Sequence, residues 1–250
     1  MECCQETTVR PEEHFTGCLI CGGELVYSED SRMRTCAVCG KKSLGNAVCE
    51  HGHYVCDACH EYGAFAGLIP VLRDSTEKDP LRLFDTVTAL PGVHMHGPEH
   101  HVIVPLVLLT AYRNCGGKFN YDSAMREAQC RAKQVPGGTC GYWGVCGAAA
   151  GAGIYASVLL GSNPMHREAW PLPQKLVADI LTELAEVGGP RCCKRTGRIA
   201  MEKAAEFTGC LSSVKMPVGE IQCKYVSENK ECIRVRCPYY PGNRRNTNGI

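Results

Sequence analysis

The stretch Val102-Ile-Val-Pro-Leu-Val-Leu-Leu109 is apolar on nearly every side. Because a helix that is apolar all round must be buried, this stretch predicts a central helix. The preceding Gly97-Pro98 favours a helix start, since proline fits the first helical position, and the pattern continues to Asn114. Pro105 is expected to kink the helix. The rest of the chain should therefore pack around this segment.

Helical signals continue beyond the central helix. From Pro173 to Val187, apolar side chains recur at helical spacing, and Gly188 ends the pattern. Glycine, proline and asparagine interrupt the C-terminal residues, which predicts short strands and loops there. The further predicted helices are Tyr121–Gln134, Trp143–Leu160, Pro173–Val187 and Pro190–Phe207.

The expected architecture is mostly α and has three parts. Residues 1–62 form a small double zinc-binding module, and residues 63–92 form a connecting segment. Residues 93–250 form a cysteine-rich helical domain of about five helices that ends in a short irregular or β segment. Within the connecting segment, Asp79-Pro80 indicates the start of a short helix over Leu81–Leu90.

Charge and hydropathy indicate a protein that binds neither nucleic acid nor a membrane. The formal net charge is +1, so bulk electrostatics favour neither partner. The uncharged stretch Val135–Met165 is rich in glycine and alanine, which favours a buried helix over a membrane span. The N-terminus lacks the apolar core of a signal peptide, so we expect a cytoplasmic protein. A small-molecule substrate or a redox partner protein is the expected partner, and a homo-oligomer is left open.

Cysteine is unusually frequent, with 19 residues in 250. In a reducing compartment such thiols stay free of disulfides, so they indicate metal binding or redox chemistry. In the N-terminal part, CxxC and HxxC spacings supply eight candidate zinc ligands, enough for two tetrahedral structural sites. The eight are Cys18, Cys21, Cys36, Cys39, Cys49, His53, Cys56 and Cys59.

The spacing leaves two questions about these ligands open. Sequential pairing would join the first CxxC with the second and the third pair with the fourth, whereas interleaved pairing would join the first with the third and the second with the fourth. Three histidines also compete for one position. His53 is favoured because His-x-x-Cys has the knuckle spacing, and His51 and His60 are then neighbours of the site or solvent-facing.

Four histidines and a glutamate lie directly before the central helix, in His94-Met-His96-Gly-Pro-Glu99-His100-His101. His96-x-x-Glu99-His100 has the spacing of an inverted zincin motif, but Gly97-Pro98 separates His96 from the helix, which argues against a peptidase. A metal or substrate site remains an interpretation, because the helix dipole keeps histidines in the first turn neutral. The candidate catalytic residues are His96, Glu99, His100 and Cys146.

The remaining cysteines predict a second kind of metal site. Two pairs are expected at helix starts, where the helix dipole favours the thiolate that binds metal. A Cys-Pro after spaced cysteines is also common around iron–sulfur clusters. The candidate iron–sulfur ligands are Cys140, Cys146, Cys192, Cys193, Cys223, Cys232 and Cys237.

Two resemblances support this interpretation. The run Gly-Gly-x-Cys140 to Cys146-Gly-Ala-x-x-Gly151, followed by Cys192-Cys193, resembles redox-active proteins named for a C…GCAxxG…C…C pattern. That resemblance implies a helical fold with an iron–sulfur cluster, such as 4Fe–4S, or redox thiols. Cys146 would be the motif cysteine and Cys192 or Cys193 the next one, with the first open between Cys115 and Cys140.

The second resemblance covers the whole chain. The N-terminal CxxCG knuckles, Met-His-Gly-Pro-Glu-His-His and the Cys-Pro-Tyr-Tyr tail resemble an uncharacterised cysteine-rich family of anaerobic bacteria and methanogenic archaea. Three functions follow as hypotheses. The first is a metal-binding redox or sulfur-handling protein with two zinc ions and an iron–sulfur cluster. The others are a zinc-dependent enzyme that uses the residues from His94 to His101, and a non-catalytic zinc-module adaptor of an anaerobic complex. Whether the chain is an enzyme is left open.

Overall fold

The structure, a computed structural model, describes residues 17–243. The N-terminus, on which the expectation of no signal peptide depends, lies outside the described residues. The order is a β-hairpin followed by eight α-helices and one 3-10 turn in the described range. The elements are β1 (Leu25–Thr35), β2 (Lys42–Cys49), α1 (Asp57–Asp74), α2 (Pro80–Val87), α3 (Glu99–Asn114), α4 (Tyr121–Ala132), α5 (Thr139–Tyr142), α6 (Gly147–Leu159), α7 (Pro171–Val187), α8 (Cys193–Leu211) and the 3-10 turn Arg234–Arg236.

A mostly helical fold with a small N-terminal module is confirmed. The two strands of that module pair antiparallel, with Leu25 opposite Cys49 at the open end and Thr35 opposite Lys42 beside the turn. The register shifts between Tyr27 and Arg32, as at a β-bulge. The hairpin thus carries one CxxC knuckle before its first strand and the second CxxC knuckle in its turn.

The central helix is α3, as the apolar stretch predicts. Every residue from Glu99 to Ala111 is buried. Helices α1, α2, α4, α6 and α8 all pack against it, and α7 reaches the core through α6 and α8. Because α3 has no polar face, each neighbouring helix turns its apolar side toward it. The polar residues at its N-terminal end are therefore drawn into the interior as well.

Glycines let α6 approach α3 closely, which agrees with the spacing of Gly147 and Gly151. A Cβ atom on Gly151 would lie 2.7 Å from the His101 carbonyl oxygen and 3.0 Å from Pro105 Cδ. A Cβ atom on Gly147 would overlap the His101 ring. Close helix contact at this point therefore depends on the missing side chains.

Helix α1 is the main element that the sequence analysis missed. It begins directly after Cys56, within the last knuckle of the module, and runs through the first part of the predicted connecting segment to Asp74. Ala64, Leu68 and Leu72 are fully buried against the core. Pro70 and two glycines weaken the local helical signal, and burial of the apolar face outweighs that weakness. In the rest of the segment, Asp79 accepts hydrogen bonds from the Leu81 and Arg82 amides and so caps α2.

Two further expectations need correction. Gly144 has φ 67° and separates α5 from α6, so the predicted helix Trp143–Leu160 exists only from Gly147. No strand forms in the described part of the C-terminal segment, where Arg234–Arg236 is the regular element. That segment is held by tertiary contacts, including the Cys223 amide to the Tyr239 carbonyl at 2.7 Å. Among the described helices, none has the length and apolarity that crossing a membrane requires.

The contact between α3 and α6 gives a stability prediction. We expect Gly151→Ala to lower the free energy of unfolding by about 1–2 kcal/mol, because overpacking costs more than the gain in helix propensity. Gly141→Ala is the control, since a Cβ atom there meets nothing within 4 Å. Chemical denaturation followed by circular dichroism measures both. An unchanged or higher midpoint for Gly151→Ala would contradict close packing at this position.

Candidate metal centres

The hairpin brings the candidate zinc ligands into two groups. The ligand atoms within each group all lie within 4.8 Å of one another. One group is Cys18, Cys21, Cys49 and His53, and the other is Cys36, Cys39, Cys56 and Cys59. Every cysteine in the described range is a free thiol. Both groups could hold a metal ion such as zinc.

Distances in both groups are those of a tetrahedral shell. Cys21 Sγ lies 3.8 Å from Cys49 Sγ, and Cys39 Sγ lies 3.8 Å from Cys56 Sγ. Zinc–sulfur bonds of about 2.3 Å at tetrahedral angles place two sulfurs about 3.8 Å apart. His53 Nδ1 lies 3.5 Å from Cys49 Sγ, slightly closer, as the shorter zinc–nitrogen bond requires.

Backbone amides point at several of these sulfurs. The His53 amide donates to Cys49 Sγ and the Cys56 amide to Cys36 Sγ, each at 3.3 Å. Burial raises the pKa of Cys36 and of Cys49, but donated amide hydrogen bonds outweigh it and lower each pKa to about 6. Burial instead raises the pKa of Cys59, whose neighbouring thiols add to the effect. Each group thus contains a thiol that is already inclined toward the metal-binding thiolate.

The structure joins the knuckles in the interleaved pairing. The first CxxC shares a group with Cys49 and His53, and the second with Cys56 and Cys59. The His51 ring is exposed, and its Nδ1 lies 3.5 Å from Cys21 Sγ outside the two groups of four. The pairing follows from the hairpin, which holds the first knuckle at its open end and the second at its turn.

His60 connects the second group with the helical core. It directly follows Cys59, and its Nδ1 lies 3.0 Å from Glu99 Oε2. His94 donates its amide to Glu99 Oε1 at 3.1 Å, and its ring Nδ1 lies 3.4 Å from the same oxygen. The Glu99 side chain is fully buried. Burial alone would raise the pKa of Glu99, but His60 and His94 hold it well below the ordinary value.

The other histidines of the motif have different neighbours. His96 Nε2 faces Asn229 and Glu231 at 3.4 and 3.5 Å. His100 Nδ1 donates to the Gly97 carbonyl at 3.2 Å, and His101 Nδ1 donates to the Val135 carbonyl at 3.0 Å. Burial lowers the pKa of all three, that of His96 to about 4. Burial is therefore the main effect that favours the neutral form of these three imidazoles, and the helix dipole is not needed to explain that preference.

Cys193 lies beside the histidine motif, and Cys146 lies near Cys193. Cys193 Sγ accepts the Gly97 amide and is electrostatically coupled to Cys146. Cys146 precedes α6 and accepts hydrogen bonds from the Ala148 and Ala149 amides. Burial nevertheless raises the pKa of Cys146, and it raises that of Cys193 to about 12. The expectation that helix starts bias these thiols toward thiolate is thus wrong for the free side chains, because desolvation is the larger effect.

Unlike Cys193, Cys192 lines a cavity formed by α8 and the C-terminal segment. Its thiol pKa is also raised by burial. The unfilled volume of the cavity, counted out to the solvent, is about 360 Å³. Hardly any of that space is wide enough for a water molecule, so the cavity is narrow. Its cysteines are Cys192, Cys223, Cys232 and Cys237. Cys140 is exposed and does not line it.

Each sulfur in this cavity accepts a backbone hydrogen bond. The distances from the donating nitrogen to Sγ are 3.5 Å for Cys192, 3.4 Å for Cys223 and 3.4 Å for Cys232. The Tyr239 amide donates to Cys237. The donor to Cys232 is Arg234, whose φ of 52° is rare outside glycine. The C-terminal segment is thus shaped so that its amides turn toward sulfur.

Two buried arginines line the same cavity. Arg198 is fully buried and binds the Asp85 carboxylate with Nε and Nη2, at 2.7 and 2.9 Å. Burial alone would lower the pKa of Arg198, but Asp85 and Cys223 raise it above its ordinary value. Arg195 binds the Gly188 and Pro190 carbonyls with Nη2. Neither Arg198 Nη1 nor Arg195 Nε has a hydrogen-bond partner within the described range.

Three polar residues of these centres have contacts that the sequence did not predict. His60 was a competing candidate for the zinc site, and His94 belonged to the histidine motif without being named as a catalytic candidate. Lys194 was not among the candidate site residues, although it is fully buried and donates Nζ to the Thr88 carbonyl at 2.8 Å. Burial lowers its pKa to about 8. The available signals were the position of His60 directly after a predicted ligand and that of His94 within the motif.

Zinc content distinguishes the two pairings. Cys21→Ser with Cys49→Ser removes two ligands from one group, so we expect loss of one zinc ion. Cys21→Ser with Cys39→Ser damages both groups, and we expect loss of both ions. Elemental analysis of the purified variants measures this, with circular dichroism to check the helices. The opposite pattern would support the sequential pairing.

Comparison with known proteins identifies a family. The sequence model of a family of unknown function, DUF5714, matches residues 68–240, which is more than half of the chain. That range contains α2 to α8, the residues from His94 to His101 and the four-cysteine cavity, whereas the hairpin module precedes it. No curated protein and no solved structure matches the chain. The chain therefore belongs to the DUF5714 family.

Proposed function

We propose that this protein is a cytoplasmic metal-binding redox protein. In this proposal, two structural zinc ions occupy the N-terminal groups, and an iron–sulfur cluster occupies the cavity between α8 and the C-terminal segment. The single observation that carries it is the convergence of Cys192 and three cysteines of the C-terminal segment on one narrow cavity. The ligands would be Cys192, Cys223, Cys232 and Cys237.

These four sulfurs are not gathered closely enough for a single tetrahedral ion, whereas a cluster accommodates wider separations. Within the described part of the chain, the groups whose ligand atoms all lie within 4.8 Å of one another do not include these four cysteines. A single tetrahedral ion needs sulfurs about 3.8 Å apart. In a Cys4 cluster such as 4Fe–4S, each thiolate binds its own iron, so the sulfurs stay further apart. The narrow cavity would have to widen as the cluster assembles.

The surroundings of the cavity suit a negatively charged cluster. Four thiolates bring four negative charges, which amide hydrogen bonds and nearby cations stabilise. Amides already point at all four sulfurs, and the buried Arg195 and Arg198 line the same cavity. Among the described residues, no carboxylate lines the cavity. The donor set therefore matches a tetrathiolate cluster better than it matches four protonated thiols.

The zinc groups support a structural role. Each has four ligands at tetrahedral separations, so a bound ion would have no open position for substrate. The module is also held to the helical domain, through Asp57 Oδ2, which accepts the Gly137 amide at 2.8 Å, and through Tyr142, which donates to the Ser28 carbonyl at 3.0 Å. The zinc ions would thus fix the start of α1 against the core.

Four cysteine ligands favour electron transfer over substrate binding at the cluster, because no iron is left open. Cys223 and Cys232 also line an open outer depression that carries Lys224, Lys230 and Arg234. A partner would therefore approach the cluster over a positively charged surface. An acidic electron-transfer protein fits that surface by charge complementarity, so we infer that the redox partner is acidic.

Iron and sulfide analysis tests the cluster. Protein isolated without oxygen is expected to be brown and to contain iron and acid-labile sulfide. Cys223→Ser with Cys237→Ser should abolish both, because two of four ligands are lost. Cys146→Ala with Cys193→Ala is the matched control, which removes two half-buried cysteines outside the cavity and should keep the cluster.

Two outcomes would contradict the proposal. One is a wild-type protein that holds zinc but no acid-labile sulfide, even after anaerobic reconstitution. The other is a reversed pattern, in which the Cys146 and Cys193 variant loses the cluster and the Cys223 and Cys237 variant keeps it. Circular dichroism of each variant separates loss of the cluster from loss of the fold.

A further inference from the structure

The buried group around Glu99 has the composition of a metal site. His60 lies in the first turn of α1, His94 in the loop before α3, and Glu99 at the first position of α3. One ligand atom from each lies within 4.8 Å of the others. The His60 and His94 rings flank the carboxylate, with centroids 4.4 Å apart. Three separate elements thus present two imidazoles and one carboxylate to a common point.

The separations are those of ligands around one ion. Glu99 Oε2 lies 3.0 Å from His60 Nδ1, and Glu99 Oε1 lies 3.4 Å from His94 Nδ1. Zinc bonds of about 2.0–2.2 Å to nitrogen and oxygen at tetrahedral angles place neighbouring ligand atoms about 3.3–3.6 Å apart. The His94 distance falls in that range, and the shorter His60 distance corresponds to a smaller angle at the ion or to a hydrogen bond in its absence.

Hydrogen bonding alone leaves one of these atoms unexplained. Glu99 Oε1 accepts the backbone amide of His94, and Glu99 Oε2 faces His60. His94 Nδ1 is buried and, within the described residues, has no hydrogen-bond partner despite its nearness to Oε1. A buried polar atom without a partner is costly, and a metal bond would satisfy it.

Gly97 keeps the space beside the group free of side chains. A Cβ atom there would lie 2.1 Å from Glu99 Oε2 and 2.4 Å from His60 Cε1. The His60 and His94 side chains are 19% and 13% exposed, whereas Glu99 is fully buried. The two imidazoles therefore form the outer side of the group, by which an ion can reach it.

We propose that His60, His94 and Glu99 bind a divalent first-row transition-metal ion, zinc or ferrous iron, as a third metal centre. Two imidazoles and one carboxylate are a ligand set of catalytic zinc sites and of non-haem iron sites. Three protein ligands leave at least one position open, in contrast with the closed zinc groups of the module. The centre is independent of the proposed iron–sulfur cluster, which uses none of these residues.

Cobalt binding to the full-length protein tests this centre. Protein with its cysteine sites filled should bind one further Co²⁺ ion whose spectrum lacks the charge-transfer band of cobalt–thiolate bonds. Glu99→Gln keeps the size of the side chain and should lose this ion, as should His94→Ala. His96→Ala is the matched control, because His96 faces Asn229 and Glu231, and it should retain the ion.

The results separate this centre from the others. Elemental analysis should show one divalent ion fewer in Glu99→Gln, with the zinc of the module and the iron and sulfide content unchanged. If the folded wild type takes up no further ion under saturating Co²⁺, or if Glu99→Gln retains it, the group is only a hydrogen-bonded contact between α1 and α3. Absence of acid-labile sulfide from the wild-type protein would contradict the proposed cluster but would not contradict this centre.

Discussion

Burial of the Glu99 carboxylate is the constraint on which the arrangement of this protein depends. Helix α3 is apolar on every side and must lie in the core, so its first residue is buried with it. An isolated buried carboxylate costs several kcal/mol, which requires partners from other elements. His60 and His94 supply them. Since His60 lies in α1 directly after the last cysteine of the module, this contact also sets where the module meets the helical domain.

The start of α8 organises the other side of the molecule. Cys192 and Cys193 are adjacent, yet one lines the four-cysteine cavity and the other accepts the Gly97 amide beside Glu99. Asn229 also lies between the two regions, because it lines the cavity and contacts His96. Cysteines of the C-terminal segment complete the cavity. The start of α8 and Asn229 thus connect the four-cysteine cavity with the histidine motif.

Local sequence signals predicted most of the helices well. Helix α7 begins within two residues of the expected position and ends at Val187 as expected, and α4 begins at Tyr121. Both have apolar spacing or a capping residue that acts within one turn. Helix α1 was missed because glycines and Pro70 weaken its local signal, while its stability comes from burial against α3. The expected C-terminal strands were wrong, because hydrogen bonds to sulfur and to distant carbonyls shape that segment instead.

The sequence by itself determined which atoms can bind metal, because a CxxC turn places two sulfurs at one point whatever the rest of the chain does. It also determined that α3 is central, since an apolar helix has one favourable location. Only the tertiary structure decided which pairs lie together in one candidate metal site, because that depends on the hairpin bringing Cys49 back to the first knuckle. The tertiary structure also decided that Cys192 lines the cavity whereas Cys193 lies beside Gly97, and that His60 contacts Glu99. All of these contacts are between residues far apart along the chain. Their spacing in sequence carries no information about distances that packing creates.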